Sequence, residues 1–261
     1  MLGFTTKDFR TTYNFFSSNV RDKYMGSSLG SLWSIANPLL MLSIFTFVFG
    51  YVYKVRLPGA ETTLAYAIWL IGGYGPWISV TESITASATS LTGASGIIKN
   101  LTVKTEILPI AAALTGIVPL LVSLGFLLIL LVADGRAPSA HLLALPLIVA
   151  IQIALVLAIG ILVAGLTVFF RDLTFALPNL LTIVLFASPI FYPIDSMPRI
   201  AQSISNWNPF YILAESYRAV LIGQSWPASD RLAYVLLLAG GLGVLSLSAF
   251  RRLKGFFAAL L

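Results

Sequence analysis

LAYAIWLIGGYGPWISV, residues 64–80, runs without a charge, and five further apolar stretches of comparable length share the 261-residue chain with it. With 58% hydrophobic residues, 10% charged residues and a mean hydropathy of +0.92, the chain has too little polar surface to cover a water-soluble globule of this size. A hydrocarbon core about 30 Å thick takes about 20 residues of helix, and helices satisfy their own backbone there. Six stretches meet that length, at about 31–54, 64–88, 108–133, 141–169, 175–193 and 233–250. A membrane barrel would show short alternating segments instead, and this chain has none. The fold class expected is therefore an all-α polytopic membrane protein with six transmembrane helices.

An even number of spans puts both termini on one side. The segments on that side carry ten cations (Lys7, Arg10, Arg21, Lys23, Lys99, Lys104, Arg171, Arg251, Arg252 and Lys254), and the opposite side carries six (Lys54, Arg56, Arg136, Arg199, Arg218 and Arg231). The excess predicts cytoplasmic termini, so the net charge of +6 reads as topology and no nucleic-acid partner is expected. There is no cysteine, hence no disulfide frame or thiol chemistry. The opening MLGFTTKDFR is too polar to be a cleaved signal peptide.

Phe9, Tyr13, Phe16, Val20 and Tyr24 recur at helical spacing, which predicts a helix over about 4–25 lying flat at the interface, either as an anchor or as a partner contact. Phe45, Phe47, Phe49, Tyr51 and Tyr53 gather at the outer end of the first span, as an aromatic belt or as a lining. Gly72, Gly73, Gly75 and Pro76 are expected to interrupt the second span, whose hydroxyl-rich second half should face protein and not lipid. Within that half Glu82 is read either as paired near the cytoplasmic end or as facing a water-filled cavity. The connection from Gly96 to Pro109 has room for a short helix across the membrane face, and Phe169 to Leu173 forms a tight hairpin. After a break at Ser188 to Pro193, two short pieces at about 196–206 and 210–222 are too short to cross and should be re-entrant or interfacial.

No nucleotide-binding Gly-x-x-x-x-Gly-Lys-Ser/Thr loop and no His-Glu-x-x-His occur. The single histidine, His141, has no Gly-x-Ser-x-Gly elbow to accompany it, so catalytic and metal sites are not expected. One intramembrane carboxylate and no visible repeat argue against an ion-coupled carrier.

Taken in order, Arg21-Asp22-Lys23-Tyr24, Ser28 to Trp33, Asn37-Pro38, Gly73 with Pro76-Trp77, Ile98-Lys99, Ile107-Leu108-Pro109, Phe169 to Leu173, Ser188 to Pro193 and Asn208-Pro209 resemble the membrane subunits of type-2 ABC exporters, in the branch that exports O-antigen, capsule and teichoic-acid polymers. The likeness covers almost the whole chain. It implies a non-enzymatic transport subunit in the cytoplasmic (inner) membrane, a homodimer with two copies of a separate ABC ATPase that holds ATP and Mg. The cargo implied is a glycan on undecaprenyl diphosphate, O-antigen in the favoured case. Across 1–261 it implies a single transmembrane domain: an interfacial helix over 1–30, spans one to five over 31–193, extracytoplasmic short helices over 194–232, and span six with a cytoplasmic tail over 233–261.

Residue by residue, the resemblance assigns ATPase coupling to Ile98, Lys99, Val103, Lys104, Glu106, Arg171 and Asp172. Val103-Lys104 stands where many relatives have Phe-Pro, so a charge enters that contact. Aromatic rings suit a sliding glycan, and Tyr74, Trp77, Phe191, Tyr192, Trp207, Phe210 and Tyr211 are the expected substrate path. Arg21 and Lys23 are the expected contacts to the lipid diphosphate. Two other readings are open: an exporter of the same fold carrying a drug or a lipid, and a membrane glycosyl- or acyltransferase.

Overall fold

The computed structural model describes residues 5–53, 62–100, 104–137 and 139–260. Lys54, Arg56 and Val103 lie outside the described residues. Among those described every regular element is helical, with no strand.

Helix α1, Thr6–Asp22, starts at a capping box in which Asp8 Oδ2 accepts hydrogen bonds from the Thr5 amide at 2.7 Å and the Thr5 hydroxyl at 2.9 Å. Its aromatic stripe divides: Phe9 and Tyr13 are both 67% exposed, Phe16, Val20 and Tyr24 are half-buried, and Thr12 and Phe15 meet the bundle. A helix lying in the plane of the membrane would place its apolar face in this way. A tight turn at Gly26, where φ is +84°, reverses the chain into a short 3-10 segment, Gly30–Leu32, and then α2, Trp33–Phe45, which continues as a π-helical turn over Thr46–Val52.

Helix α3, Thr63–Thr89, is the centre of the fold. Thr62 Oγ1 caps its start by accepting from the Ala65 amide at 3.1 Å. Contrary to expectation, Gly72, Gly73, Gly75 and Pro76 do not interrupt it; the helix runs through all four. The glycines serve as approach points for neighbours instead. A side chain on Gly73 would collide with the Arg218 guanidinium, and one on Gly75 would sit 2.7 Å from Ser123 Cβ. The polar half behaves as expected: Ser79, Ser83 and Ser87 are buried against protein, and Gln152 donates to Ser79 Oγ at 3.1 Å.

Short helices α4, Ser95–Asn100, and α5, Ile107–Ala113, follow, and α5 leads through Leu114–Gly116 into α6, Ile117–Ala133. A turn over Ala140–Ala144 opens α7, Leu145–Phe169, and the hairpin at Arg171 and Asp172 leads to α8, Leu173–Ala187. The hairpin forms as expected, yet α8 packs mainly on α3, while the closest partner of α7 is α11, Ser229–Leu260. Between them lie α9, Arg199–Ser205, and α10, Pro209–Leu221, close to the two short pieces expected. Helix α9 exposes Ile200 and Ile204, whereas α10 dips into the bundle and buries Ile212, Leu213 and Tyr217. Asn208 explains the sharp entry to α10, since its Oδ1 accepts from the Phe210 amide at 3.0 Å and its Nδ2 donates to Ser188 Oγ at 2.7 Å.

Among the described residues, four helical segments are long and apolar enough to cross a membrane: Gly30–Val52, Ile107–Ala133, Ala140–Phe169 and Ser229–Phe257. The other two expected spans differ for physical reasons. Helix α3, with 27 residues, is long enough, but its surroundings are protein and it can afford serines, glycines and Glu82. Helix α8 has 15 residues, about 22 Å, and ends at the Ser188–Pro193 break.

Candidate functional site

One end of the bundle gathers α1, the α4–α5 connection, the α7–α8 hairpin and the end of α11. Lys104 Nζ pairs with Asp8 Oδ2 at 2.6 Å, joining the connection to α1. On the other flank Lys254 Nζ meets Glu106 Oε1 at 3.2 Å, and Arg171 Nη2 donates to the Leu260 carbonyl at 3.3 Å. Hydrogen bonds from Lys104 and the Thr5 amide hold the Asp8 carboxyl down at about 2, so it stays ionised at physiological pH. Ile98 is half-buried beside a small apolar cluster that contains Leu91, Leu108, Phe250 and Phe257. Of the expected coupling residues, Ile98, Lys104, Glu106, Arg171 and Asp172 are thus placed at this end, and Lys99 lies in α4. Glu106 is not presented outward; it is buried beneath Lys254.

Inside the same end, a cleft of about 610 Å³ opens between α1, the second half of α3 and α5. Polar side chains from α1 (Ser18, Asn19 and Asp22) and from α3 (Glu82, Thr85 and Thr89) line it. Lys23 sits at the C-terminus of α1 and crosses to α3, where its Nζ lies 2.7 Å from Glu82 Oε2. Burial pulls the Lys23 ammonium down, but the Glu82 hydrogen bond and charge outweigh it and leave the group raised above its ordinary value. Of the two readings of Glu82, pairing and a cavity both apply. Lys23, Glu82 and Thr115 line a second, narrower cavity as well, about 150 Å³, which continues toward Asn37, Pro38 and Ile78. Arg21 does not share this cleft; its guanidinium lies 3.4 Å from Ser17 Oγ on an exposed stretch of α1. The two cations expected on one diphosphate are therefore separated here.

The expected aromatic path resolves into several groups. Phe191 is 1% exposed and packs with Phe45 at 4.8 Å, Phe49 at 5.1 Å and Tyr74 at 5.2 Å between ring centroids. Trp77 meets Phe210 edge-on at 5.3 Å. Tyr74, Trp77, Phe191 and Tyr211 are buried in this chain, so as placed they pack the core and do not line an open path. Tyr192 and Phe210 are half-buried, and Trp207 is exposed against Tyr234. The aromatic run on the first span divides in the same way: Phe45 and Phe49 turn inward, and Phe47, Tyr51 and Tyr53 remain exposed.

A feature missed in the sequence is Arg218. Its sequence position puts it among the six cations opposite the termini, yet it is 5% exposed and ties α10 to α3. Its Nη1 donates to Glu215 at 2.7 Å, its Nη2 to the Ile190 carbonyl at 2.7 Å and its Nε to the Trp69 carbonyl at 3.2 Å, with the guanidinium carbon 3.5 Å above the Trp69 ring. The bare surface of Gly73 makes room for it. The pair Gly72-Gly73 facing a short amphipathic helix was the available signal.

Comparison with known proteins gives a consistent result. The family described as "ABC-2 type transporter" matches residues 14–222. The O-antigen export system permease protein RfbA of Klebsiella pneumoniae is 28% identical over 94% of this chain and 92% of its own length. The protein of the same name from Myxococcus xanthus is 28% identical over 82% of this chain and 80% of its own. The polysialic acid transport protein KpsM of Escherichia coli is 27% identical over 80% of each.

Proposed function

Because this chain belongs to the ABC-2 type transporter family, we propose that it is the membrane subunit of an ATP-driven exporter of a polysaccharide, O-antigen foremost, carried on undecaprenyl diphosphate. The observation that carries the reading is that relatives named for O-antigen export and polysialic acid transport match four fifths or more of the chain. The protein works in the cytoplasmic membrane as a homodimer above two copies of an ABC ATPase, which bind ATP and Mg. Both termini face the cytoplasm. Removing buried Arg218 from the outer set leaves five cations there against ten at the end of the termini, which supports that orientation.

The ATPase docks on the end formed by α1, the α4–α5 connection and the α7–α8 hairpin. Closure of the ATPase pair pushes on α4 and is passed through Lys104–Asp8 to α1 and through Glu106–Lys254 to α11. Lys23, in the cleft at the same end, takes the diphosphate. Tyr192, Trp207 and Phe210 contact the glycan near the outer end, and the buried Tyr74, Trp77, Phe191 and Tyr211 join the path when the helices part. That ring cluster would otherwise close the way.

The test is purification of the chain in mild detergent from its own host. A nucleotide-binding ATPase in equal amount is the expected companion, and reversing the charge at Lys104 should weaken its retention. Recovery of the chain alone, with transfer of a purified glycosyl or acyl donor in the absence of ATP, would replace the exporter with the transferase reading.

A further inference from the structure

Helix α8 packs Leu177, Leu181 and Leu185 on the bundle and leaves two flanks open, and the two differ in chemistry. Along one flank Ala176, Leu180, Ile183 and Ala187 are exposed, an apolar surface that suits lipid. Roughly a quarter-turn away, Phe175, Asn179, Thr182 and Phe186 are exposed at steps of four, three and four. They form a row of ring, amide, hydroxyl and ring about 16 Å long. That row does not suit lipid. The Asn179 amide has no hydrogen-bond partner among the described residues, and in hydrocarbon it would carry the cost of an unpaired polar group. Thr182 Oγ1 donates to the Pro178 carbonyl at 2.8 Å and can still accept. Helix α6 shows what lipid asks for: its exposed residues, Leu121, Ile129, Val132 and Ala133, are all apolar.

We propose that the Phe175–Asn179–Thr182–Phe186 row is a binding surface for the glycan, the stretch of its path that leads from the α7–α8 hairpin to the ring cluster at the other end of α8. The inference rests on the exporter reading and extends the path to residues of α8 that reading does not use. The row is continuous with that cluster: the Phe186 ring lies 5.7 Å from Phe191, and the Phe186 carbonyl accepts from the Tyr192 hydroxyl at 2.6 Å. A primary amide both donates and accepts, as sugar hydroxyls do, and the two rings offer faces to sugar C–H groups. No charge stands on the row, so no single sugar is held in a deep well and a polymer can slide along it. A second copy of the chain is the poorer occupant. Close helix contact calls for small residues, and the alanines of α8 that are exposed, Ala176 and Ala187, stand on the other flank.

The chain has no cysteine, so one introduced thiol reports one position. The full chain with its co-purifying partners, in nanodiscs open to solvent on both faces, is treated with a water-soluble maleimide, with and without undecaprenyl-linked glycan from the same host. Asn179→Cys should be labelled, and several-fold more slowly when the glycan is present. Leu180→Cys, on the lipid flank, should stay unlabelled in both cases, because a thiol in hydrocarbon does not ionise. Thr182→Cys is a second reporter on the row should Asn179→Cys fail to fold. In cells, Asn179→Leu should lower surface glycan about fivefold at unchanged protein level and ATPase retention, as for loss of one hydrogen bond, and Asn179→Gln should restore most of it. Equal labelling of the two flanks, or labelling of the row that the glycan does not slow, would overturn the proposal. Row thiols that are shielded from maleimide yet cross-link between copies on oxidation would overturn it too, and assign the row to the second copy. If deleting the whole chain leaves surface glycan intact, the exporter reading itself falls. If deletion abolishes surface glycan while Asn179→Leu exports like wild type, that reading stands and the glycan row does not.

Discussion

Arg218→Ala should unfold the outer half of the bundle more readily than any surface change, at a cost of about 3 kcal/mol. The substitution takes the donor away from the carbonyls of Trp69 and Ile190 and empties the space over Gly73. It also removes the guanidinium stacked on Trp69. Lysine at the same position should recover little, because one ammonium cannot span two carbonyls and Glu215 while lying flat on an indole. Gly73→Ala approaches the same lock from the other side, since its new methyl would meet Arg218 Nη2 at 2.3 Å. Thermal unfolding in detergent and the monodisperse yield on size exclusion provide the check. A melting temperature for Arg218→Ala within a degree or two of wild type would show that α10 is held by its apolar face alone.

The second large effect is expected at Gly116, where α5 turns into α6 against the polar half of α3. A Cβ there would lie 2.1 Å from Ser83 Oγ and 2.4 Å from the Ser79 carbonyl oxygen. The hydroxyl could rotate away, but the carbonyl belongs to the α3 backbone and cannot. Gly116→Ala should therefore force the two helices apart at a cost near the upper end of the usual overpacking range, about 3 kcal/mol. Adding Ser83→Ala should restore only part of this. Gly125→Ala, also on α6, has open space around its Cβ and should be neutral or slightly stabilising. Equal melting temperatures for the two alanine variants would rule out the close seam.

These two positions also mark where the sequence stops being informative. Length and hydropathy are enough to find the helices, because a lipid-facing segment must be apolar over its spanning length, and α6, α7 and the middle of α11 obey that rule. Helix α3 does not, since a helix surrounded by other helices is free to carry serines and glycines, and its glycines look like breaks when they are contacts. The motif Asn208-Pro209 was legible as a boundary, and its physical reason is the Asn208 cap.

Charge was not legible as pairing. Lys104–Asp8 and Lys23–Glu82 join residues 96 and 59 positions apart, and no local pattern announces such partners. Arg218 was misread because a cation in a short outer segment is ordinarily solvated, and only the packing of α10 into the bundle reveals otherwise. The aromatic residues illustrate the same limit. Composition identifies rings that can stack on sugars, but it cannot separate Phe191, sealed among Phe45, Phe49 and Tyr74, from Trp207, which is open to its surroundings.

The central claim is that this subunit carries a lipid-linked glycan outward, and deleting it from its own host tests that most directly. Surface polysaccharide is extracted and undecaprenyl-linked polymer is assayed on the cytoplasmic face in the deletion strain and in one complemented by the intact chain. The account predicts loss of surface glycan with accumulation of the lipid-linked polymer inside, both reversed by complementation. Unchanged surface glycan with no internal accumulation would contradict it and assign the fold to another cargo.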